Sequence, residues 1–275
     1  MAVVRFGLLG PLSIGVDAVE VFPSSRLRRG LLAVLVLHPN QMVPIEQIMS
    51  KLWDGLAPPS AKANLRTQLA SLRRDLEHLC PGMSARLKTQ RAARGGAGGG
   101  LRMVIKGNEV DLDQAKQLLA VAKSDLRRAG DASQALLQCH RAFKLWRGDF
   151  GSDLPDTKWI AAQAEASRTI KTSLVETMCR ARLLTGDHAS ALSDIKVALA
   201  DEPYQARLWM LLIAACFMVS GGAQAMSEIR LCREKFSSVG MDLPAPVASL
   251  QRPILEDDRQ SVLRAIIEGS EQVGF

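Results

Sequence analysis

The stretch "NLRTQLASLRRDL", residues 64–76, holds the residue types best suited to chemistry. Leu65, Leu69, Leu72 and Leu76 recur at helical spacing, which predicts a helix with one apolar stripe. Lys62, Arg66, Thr67, Gln68, Ser71, Arg73 and Arg74 fall on its other faces. Cationic side chains hold phosphate oxygens, an Arg fork matches the edge of guanine, and hydroxyl and amide groups reach neighbouring bases. That set suits nucleic-acid recognition. The wet side of an ordinary amphipathic helix carries the same residue types, so the helix alone leaves both readings open.

Other chemistries find less support. The glycine run at 95–100 lacks the Lys-Ser/Thr ending of a Walker loop and the strand-to-helix setting of a dinucleotide fingerprint, and reads as a turn tip. His38, His78, His140 and His188 lie far apart without HExxH spacing and read as structural or solvated residues. Cys80, Cys139, Cys179, Cys216 and Cys232 include no CxxC pair and read as reduced, buried thiols of a cytoplasmic protein. No Ser/His/Asp set or carboxylate pair stands out. Neither enzyme activity, a metal nor a cofactor is expected.

Charge points the same way as the helix. The chain of 275 residues has 35 Lys and Arg against 28 Asp and Glu, a net +7, which implies an anionic partner, either nucleic acid or an acidic membrane surface. Residues 1–106 hold 15 of the basic and 6 of the acidic residues, so the remainder is slightly acidic and the basicity belongs to the N-terminal part. No signal peptide is read. The longest apolar run, "LWMLLIAACFMV" at 208–219, is too short to span a bilayer and suits a buried helix, so no membrane partner is expected.

The elements that must position the basic helix are legible around it. "VRFGLLGPLSI" and "AVEVF" read as short strands with a turn at 15–17. "RLRRGLLAVLVLHPN" reads as a helix with Leu27, Leu31, Val34 and Leu35 on one face. A second helix starts at Pro44, buries Ile45, Ile48, Met49 and Leu52, and runs out at Asp54 and Gly55. Ser60 is placed to cap the third helix. "ARLKTQRAARGGAGGGLRMVIK" then offers two strands flanking a glycine-rich turn with Arg91 and Arg94. Strands, three helices and a basic hairpin make a winged helix, and between 62 and 106 ten Lys and Arg face only Asp75 and Glu77.

"RLRRGLLAVLVLHPNQMV", "LWDGLAPPSAKANLRTQLASLRRDL" and the hairpin resemble the OmpR-type winged helix of the SARP (antibiotic regulatory protein) family of bacterial activators. The resemblance implies that the third helix enters the major groove and the wing approaches the minor groove. Lys62, Arg66, Thr67, Gln68, Ser71, Arg73 and Arg74 then become DNA contacts, with Arg91 and Arg94 on the wing. Relatives commonly carry Gly-Tyr entering the last strand, where this chain has Gly100 and Leu101.

Beyond residue 107 the strand signal fades and the sequence repeats. "AGDASQALLQCHRAFKLW", "TGDHASALSDIKVALADEP" and, more loosely, "SGGAQAMSEIRLCREKF" recur, the last two at 34–35 residues, close to a tetratricopeptide unit. "LWRGDFGSDLPDTKWIAAQAEASRTIKTSLVE" interrupts the period. The "LWRG" segment, Trp159 leading an Ala/Glu-rich helix, and the later repeats resemble the bacterial transcriptional activation domain of the same regulators. Trp146, Trp159, Trp209 and Phe217 read as core rather than as a partner groove. The last helix is expected to cap the repeats or to make a dimer contact.

The expected fold is mainly α with a small β component: a winged helix at 1–107, a tetratricopeptide-like α-helical solenoid at 108–257 and a helical tail at 258–275. The expected function is a sequence-specific transcriptional activator. Its partners, on the resemblance, are double-stranded promoter DNA with tandem direct repeats, RNA polymerase reached through "DGLAPPS", and a second copy on DNA. No motif names a small-molecule ligand. The alternative is a helical-repeat adaptor whose winged helix binds DNA non-specifically or not at all.

Overall fold

The computed structural model describes residues 3–90, 99–127 and 131–268. It is mainly helical with two small sheets. Two compact units form, and neither is continuous in sequence: Met1–Lys116 with Lys144–Thr169, and Gln117–Phe143 with Ile170–Phe275. No helix among the described residues is long and apolar enough to cross a membrane.

The first unit opens with an antiparallel meander of β1 (Val4–Gly7), β2 (Ser13–Val16) and β3 (Val19–Val21). Val4 pairs with Val16 and Phe6 with Ile14, and all four side chains are buried, as alternation along a half-buried strand requires. Asp17, at φ 53°, makes the turn into β3, so Gly15 belongs to the strand rather than to the turn. Its carboxylate accepts the Val3 N–H at 2.8 Å, which ties the turn to the start of β1.

Helix α1 (Arg26–Val36) buries every residue from Gly30 to Val36, a wider face than the Leu/Val stripe defines. A Cβ on Gly30 would stand 2.7 Å from Leu52 Cδ2 and 2.8 Å from Pro155 Cγ, so the glycine permits close approach of α1 to its neighbours. After α1 come β4 (Val43–Pro44), α2 (Ile45–Trp53), α3 (Ala61–Leu79), a short 3-10 turn (Met83–Arg86), β5 (Leu87–Gln90) and β6 (Gly100–Met103). The second sheet is antiparallel in the order β4-β6-β5. Asn40, at φ 63°, brackets Ile105: its amide donates to the Ile105 carbonyl at 2.9 Å and accepts the Ile105 N–H at 3.1 Å.

The boundary expected at 107/108 does not coincide with an edge of this unit, and the reason lies in backbone satisfaction. The chain after β1 leaves N–H groups that later residues accept. Asp111 takes those of Leu8 and Leu9 at 2.9 Å, and Asp153 takes that of Leu12 at 2.8 Å. The Arg147 N–H in turn donates to the Leu9 carbonyl at 2.7 Å. Arg29 pairs with Asp153 at 3.0 Å. Residues 144–157, which interrupt the sequence period, are therefore part of the first unit.

In the second unit the three repeated segments form α5 (Ala132–Phe143), α7 (His188–Asp201) and α9 (Gly222–Ser237). Ala135, Ala191 and Ala225 occupy the same repeat position, followed four residues later by Cys139, Ile195 and Ile229, and all six are buried. Small residues at the first position let a neighbouring helix approach closely. Helix α8 (Ala206–Ser220) runs between α7 and α9 and buries Leu208 to Phe217 without a break, which explains why its sequence is apolar all round. Trp209 and Phe217 belong to that core. Helices α4 (Asp111–Arg127) and α6 (Lys158–Thr185) each begin in the first unit and end in the second. The short α10 (Ala245–Ala248) and α11 (Gln251–Leu255) follow, and α12 (Arg259–Glu268) returns to α8, burying Val262 and Ile266 in the same core.

Candidate nucleic-acid interface

Helix α3 is held by its apolar side. Leu65, Leu72 and Leu76 are buried and Leu69 half-buried, facing a unit core that includes α1. One polar edge is also committed to packing. Arg28 on α1 donates to Asp75 at 2.7 Å, with Gln68 as a second acceptor at 3.3 Å. Both charges of this pair are largely shielded, so removing either would leave the other partly buried and unpaired.

The second acid of the segment is engaged as well. Glu77 accepts the Gly82 N–H at 2.8 Å and the Ser84 hydroxyl at 2.5 Å, closing the turn that follows α3. The Gly82 hydrogen bond, then that of Ser84, holds its carboxyl below the usual range. With Asp75 and Glu77 so occupied, the exposed arc of α3 presents Lys62, Arg66 and Arg74 beside Thr67. Lys62 and Arg66 make no hydrogen bond or ion pair with the described residues. Ala63 and Ala70 lie exposed between them, leaving the helix backbone accessible to a flat or grooved partner.

Several residues of the expected contact set sit elsewhere. Ser71 is buried, and its hydroxyl accepts from Arg74 at 3.1 Å, so it supports Arg74 rather than facing out. Gln68 is half-buried against Arg28. Arg73 reaches across to the hairpin, donating to Thr89 Oγ1 at 2.6 Å and to the Leu87 carbonyl at 3.3 Å, and so fixes β5 against α3. Ser60 does not cap the helix with its side chain; its backbone is helical and its hydroxyl instead accepts from Asn64 at 3.5 Å. Arg91 and Arg94 lie outside the described residues.

The hairpin adds positions that spacing alone did not mark. Lys88 and Arg102 are register partners and therefore share one face of the β5–β6 ladder. The Arg102 Nε is buried without a hydrogen-bond partner among the described residues. Gly100 packs tightly, since a Cβ there would stand 2.9 Å from Met42, and Leu101 is fully buried.

Asp54, in the left-handed region at the end of α2, uses its carboxylate to accept the Lys158 N–H at 3.0 Å at the start of α6. The loop between Asp54 and α3 projects Leu56, 86 % exposed. Trp159 is half-buried beneath the Lys51 ammonium, 4.5 Å from the ring centroid, and stacks at 6.0 Å on His38, whose Nδ1 contacts the Val34 carbonyl. Burial pulls the Lys51 pKa down. Both aromatic groups thus serve packing.

With this geometry in view, comparison with known proteins is decisive at the level of family. Residues 110–268 match the model of the bacterial transcriptional activator domain. The chain belongs to that family. Its curated relatives include the transcriptional regulatory protein EmbR of Mycobacterium tuberculosis, 26 % identical over 253 residues that cover 91 % of this chain and 63 % of EmbR. The regulatory protein AfsR of Streptomyces coelicolor is 29 % identical over 92 % of this chain and 24 % of AfsR. MoaR1 of Mycobacterium tuberculosis is 24 % identical over 92 % of this chain and 79 % of MoaR1. The chain therefore spans under two thirds of EmbR and about a quarter of AfsR.

The solved structure of Mycobacterium tuberculosis EmbR in complex with a low-affinity phosphopeptide superposes with a TM-score of 0.88 at 23 % identity, over 98 % of this chain and 69 % of that one. It shares the fold. The SARP-type assignment, drawn from the N-terminal segments and hairpin and strengthened by the later repeats and the order of the modules, agrees at the level of family with the activator-domain match and these relatives.

Proposed function

We propose that this protein is a DNA-binding transcriptional activator and not an enzyme, with its first unit acting as a winged helix. The observation that carries the reading is the exposed arc of α3, where Lys62 and Arg66 stand clear beside exposed Thr67 and Arg74, whose hydrogen bonds stay within the helix, while both nearby acids are engaged. In this reading α3 lies in the major groove, Arg66 and Arg74 meet phosphates or guanine edges, and Thr67 reaches a neighbouring base. Arg73 positions the hairpin that carries Lys88, Arg91, Arg94 and Arg102 toward the adjacent minor groove. Gln68 and Ser71 support the helix.

RNA polymerase is the protein partner, and the exposed Leu56 between α2 and α3 of the first unit offers it an apolar anchor. Two copies bind head to tail on direct repeats, which raises affinity by effective concentration. Support comes from the activator-domain match and from relatives named as transcriptional regulators.

The experiment is reconstituted transcription from a promoter carrying the protein's selected site, with wild type, Arg66→Ala and Leu56→Asp. Transcript should rise with wild type and fall back with either variant, Leu56→Asp while still binding DNA. No rise with wild type on a bound promoter would refute activation.

A further inference from the structure

The second unit contains a cluster of cations that its own acids do not neutralise. Lys123 on α4, Arg180 on α6 and Arg207 in the first turn of α8 interact electrostatically with one carboxylate, Glu176, and Arg127, one helical turn on from Lys123, adds its charge to that of Lys123. Among the described residues, three positive charges thus face one negative charge, with a fourth beside Lys123. Arg207 Nη1 lies 3.9 Å from Glu176 Oε2, too far for a hydrogen bond, and Lys123 Nζ donates to the neutral Ser173 hydroxyl at 2.7 Å.

Arg180 is the most exposing feature of this arrangement. Its residue is only 9 % accessible, its Nε is buried without a hydrogen-bond partner among the described residues, and no ion pair reaches it. A buried guanidinium left without an acceptor is costly, and native structures pair such groups. Lys123 and Arg127 are exposed and Arg207 half-exposed while Arg180 is buried, so the cluster runs from solvent into the unit. The start of α8 adds to the same field: no side chain caps it and its first turn holds no acid.

We propose that Lys123, Arg127, Arg180 and Arg207 form a binding site for a phosphate group, either as free phosphate or as the phosphate of a small metabolite. The excess of three positive charges favours a dianion, three guanidinium forks offer paired N–H donors, and the Lys ammonium supplies a point charge. Glu176 holds the cations together when the site is empty. Burial pulls the Lys123 pKa down, Glu176 opposes that pull, and the Arg207, Arg180 and Arg127 charges add to it, so a bound dianion would raise the pKa again. Because the site joins α4, α6 and α8, occupation ties together three helices of the activator domain and gives it a means of sensing a phosphorylated compound.

The test is site-resolved acetylation of the full chain, read by mass spectrometry, with inorganic phosphate titrated against chloride at matched ionic strength. Lys123 labelling should fall several-fold and saturably with phosphate, while exposed Lys196 on α7 stays unchanged. Arg180→Met and Arg207→Gln should each abolish the protection with helical content intact, Arg207→Gln being the half-exposed change that spares the core. Stronger protection by adenosine monophosphate or glucose 6-phosphate would make the ligand a metabolite's phosphate; protection by inorganic phosphate alone would make it the free ion. Equal labelling of Lys123 in phosphate and chloride, or protection that persists in both variants, overturns the proposal.

Discussion

Replacing Arg66 with Ala separates the working face of α3 from its packing faces. Arg66 is exposed and engages no described residue, so its removal should leave the thermal midpoint near wild type, a change within about 0.5 kcal/mol. On DNA the loss should be larger. If its fork reads guanine, binding weakens by about 1–3 kcal/mol, roughly 5- to 150-fold in Kd, and preference relaxes at one base position. If it holds a phosphate, binding weakens uniformly and the slope of log K against log salt drops by about 0.9. Lys62, Arg66 and Arg74 span about 18 Å along the helix at 1.5 Å per residue, a reach compatible with several phosphates. Their triple Ala variant should lose up to about 2.7 of that slope. Fluorescence anisotropy on the selected site, from low to physiological salt, measures both quantities. Wild-type affinity and slope in the folded triple variant would refute the assignment of this face.

Arg73→Ala should behave differently from Arg66→Ala, lowering the thermal midpoint by the equivalent of about 1–2 kcal/mol because it releases β5 from α3, which melting curves of the two variants will show. Gly30→Ala adds helix propensity but drives a methyl into Leu52 and Pro155, and a net loss of about 1–3 kcal/mol in denaturant unfolding is expected. A fragment of residues 1–107 lacks Asp111 and Asp153, the acceptors for Leu8, Leu9 and Leu12, and should unfold in milder denaturant than a fragment of residues 1–169.

The thiols give a pH prediction. Burial pushes Cys139 and Cys179 up to about 12 and Cys216 and Cys232 up to about 11, from 9.0. Between those values the folded state keeps protons that the unfolded state releases, so stability falls as pH rises above about 9. Replacing Cys139 with Ala should flatten that part of a melting series. At neutral pH a thiol reagent should modify half-exposed Cys80 quickly and the other four only on unfolding.

The periodicities in the sequence locate the helices because burial has helical spacing: Leu65, Leu72 and Leu76 mark the inner side of α3, and the Ala135, Ala191 and Ala225 positions mark the packing helices of the second unit. Side-chain commitments that depend on distant partners are not legible in that way. Arg73 and Arg66 look alike in sequence, yet Thr89 engages one and leaves the other free for a ligand. Ser71 looks like a polar surface residue and is buried; Ser60 has the residue type of a cap and the backbone of a helix. The tie of residues 144–157 to the first sheet rests on hydrogen bonds more than a hundred positions apart, such as Leu12 to Asp153, which no local pattern encodes. Arg180 gives no sequence signal, since an Arg on a long amphipathic helix reads as solvated until burial shows otherwise.

Selection from a random-sequence DNA pool at physiological salt, with Arg66→Ala in parallel, decides whether α3 reads sequence. Wild type should enrich a tandem direct repeat, and the variant should lose or relax that enrichment. Weak, steeply salt-dependent binding with no enriched sequence would contradict this, and would make the first unit a non-specific tether for an adaptor.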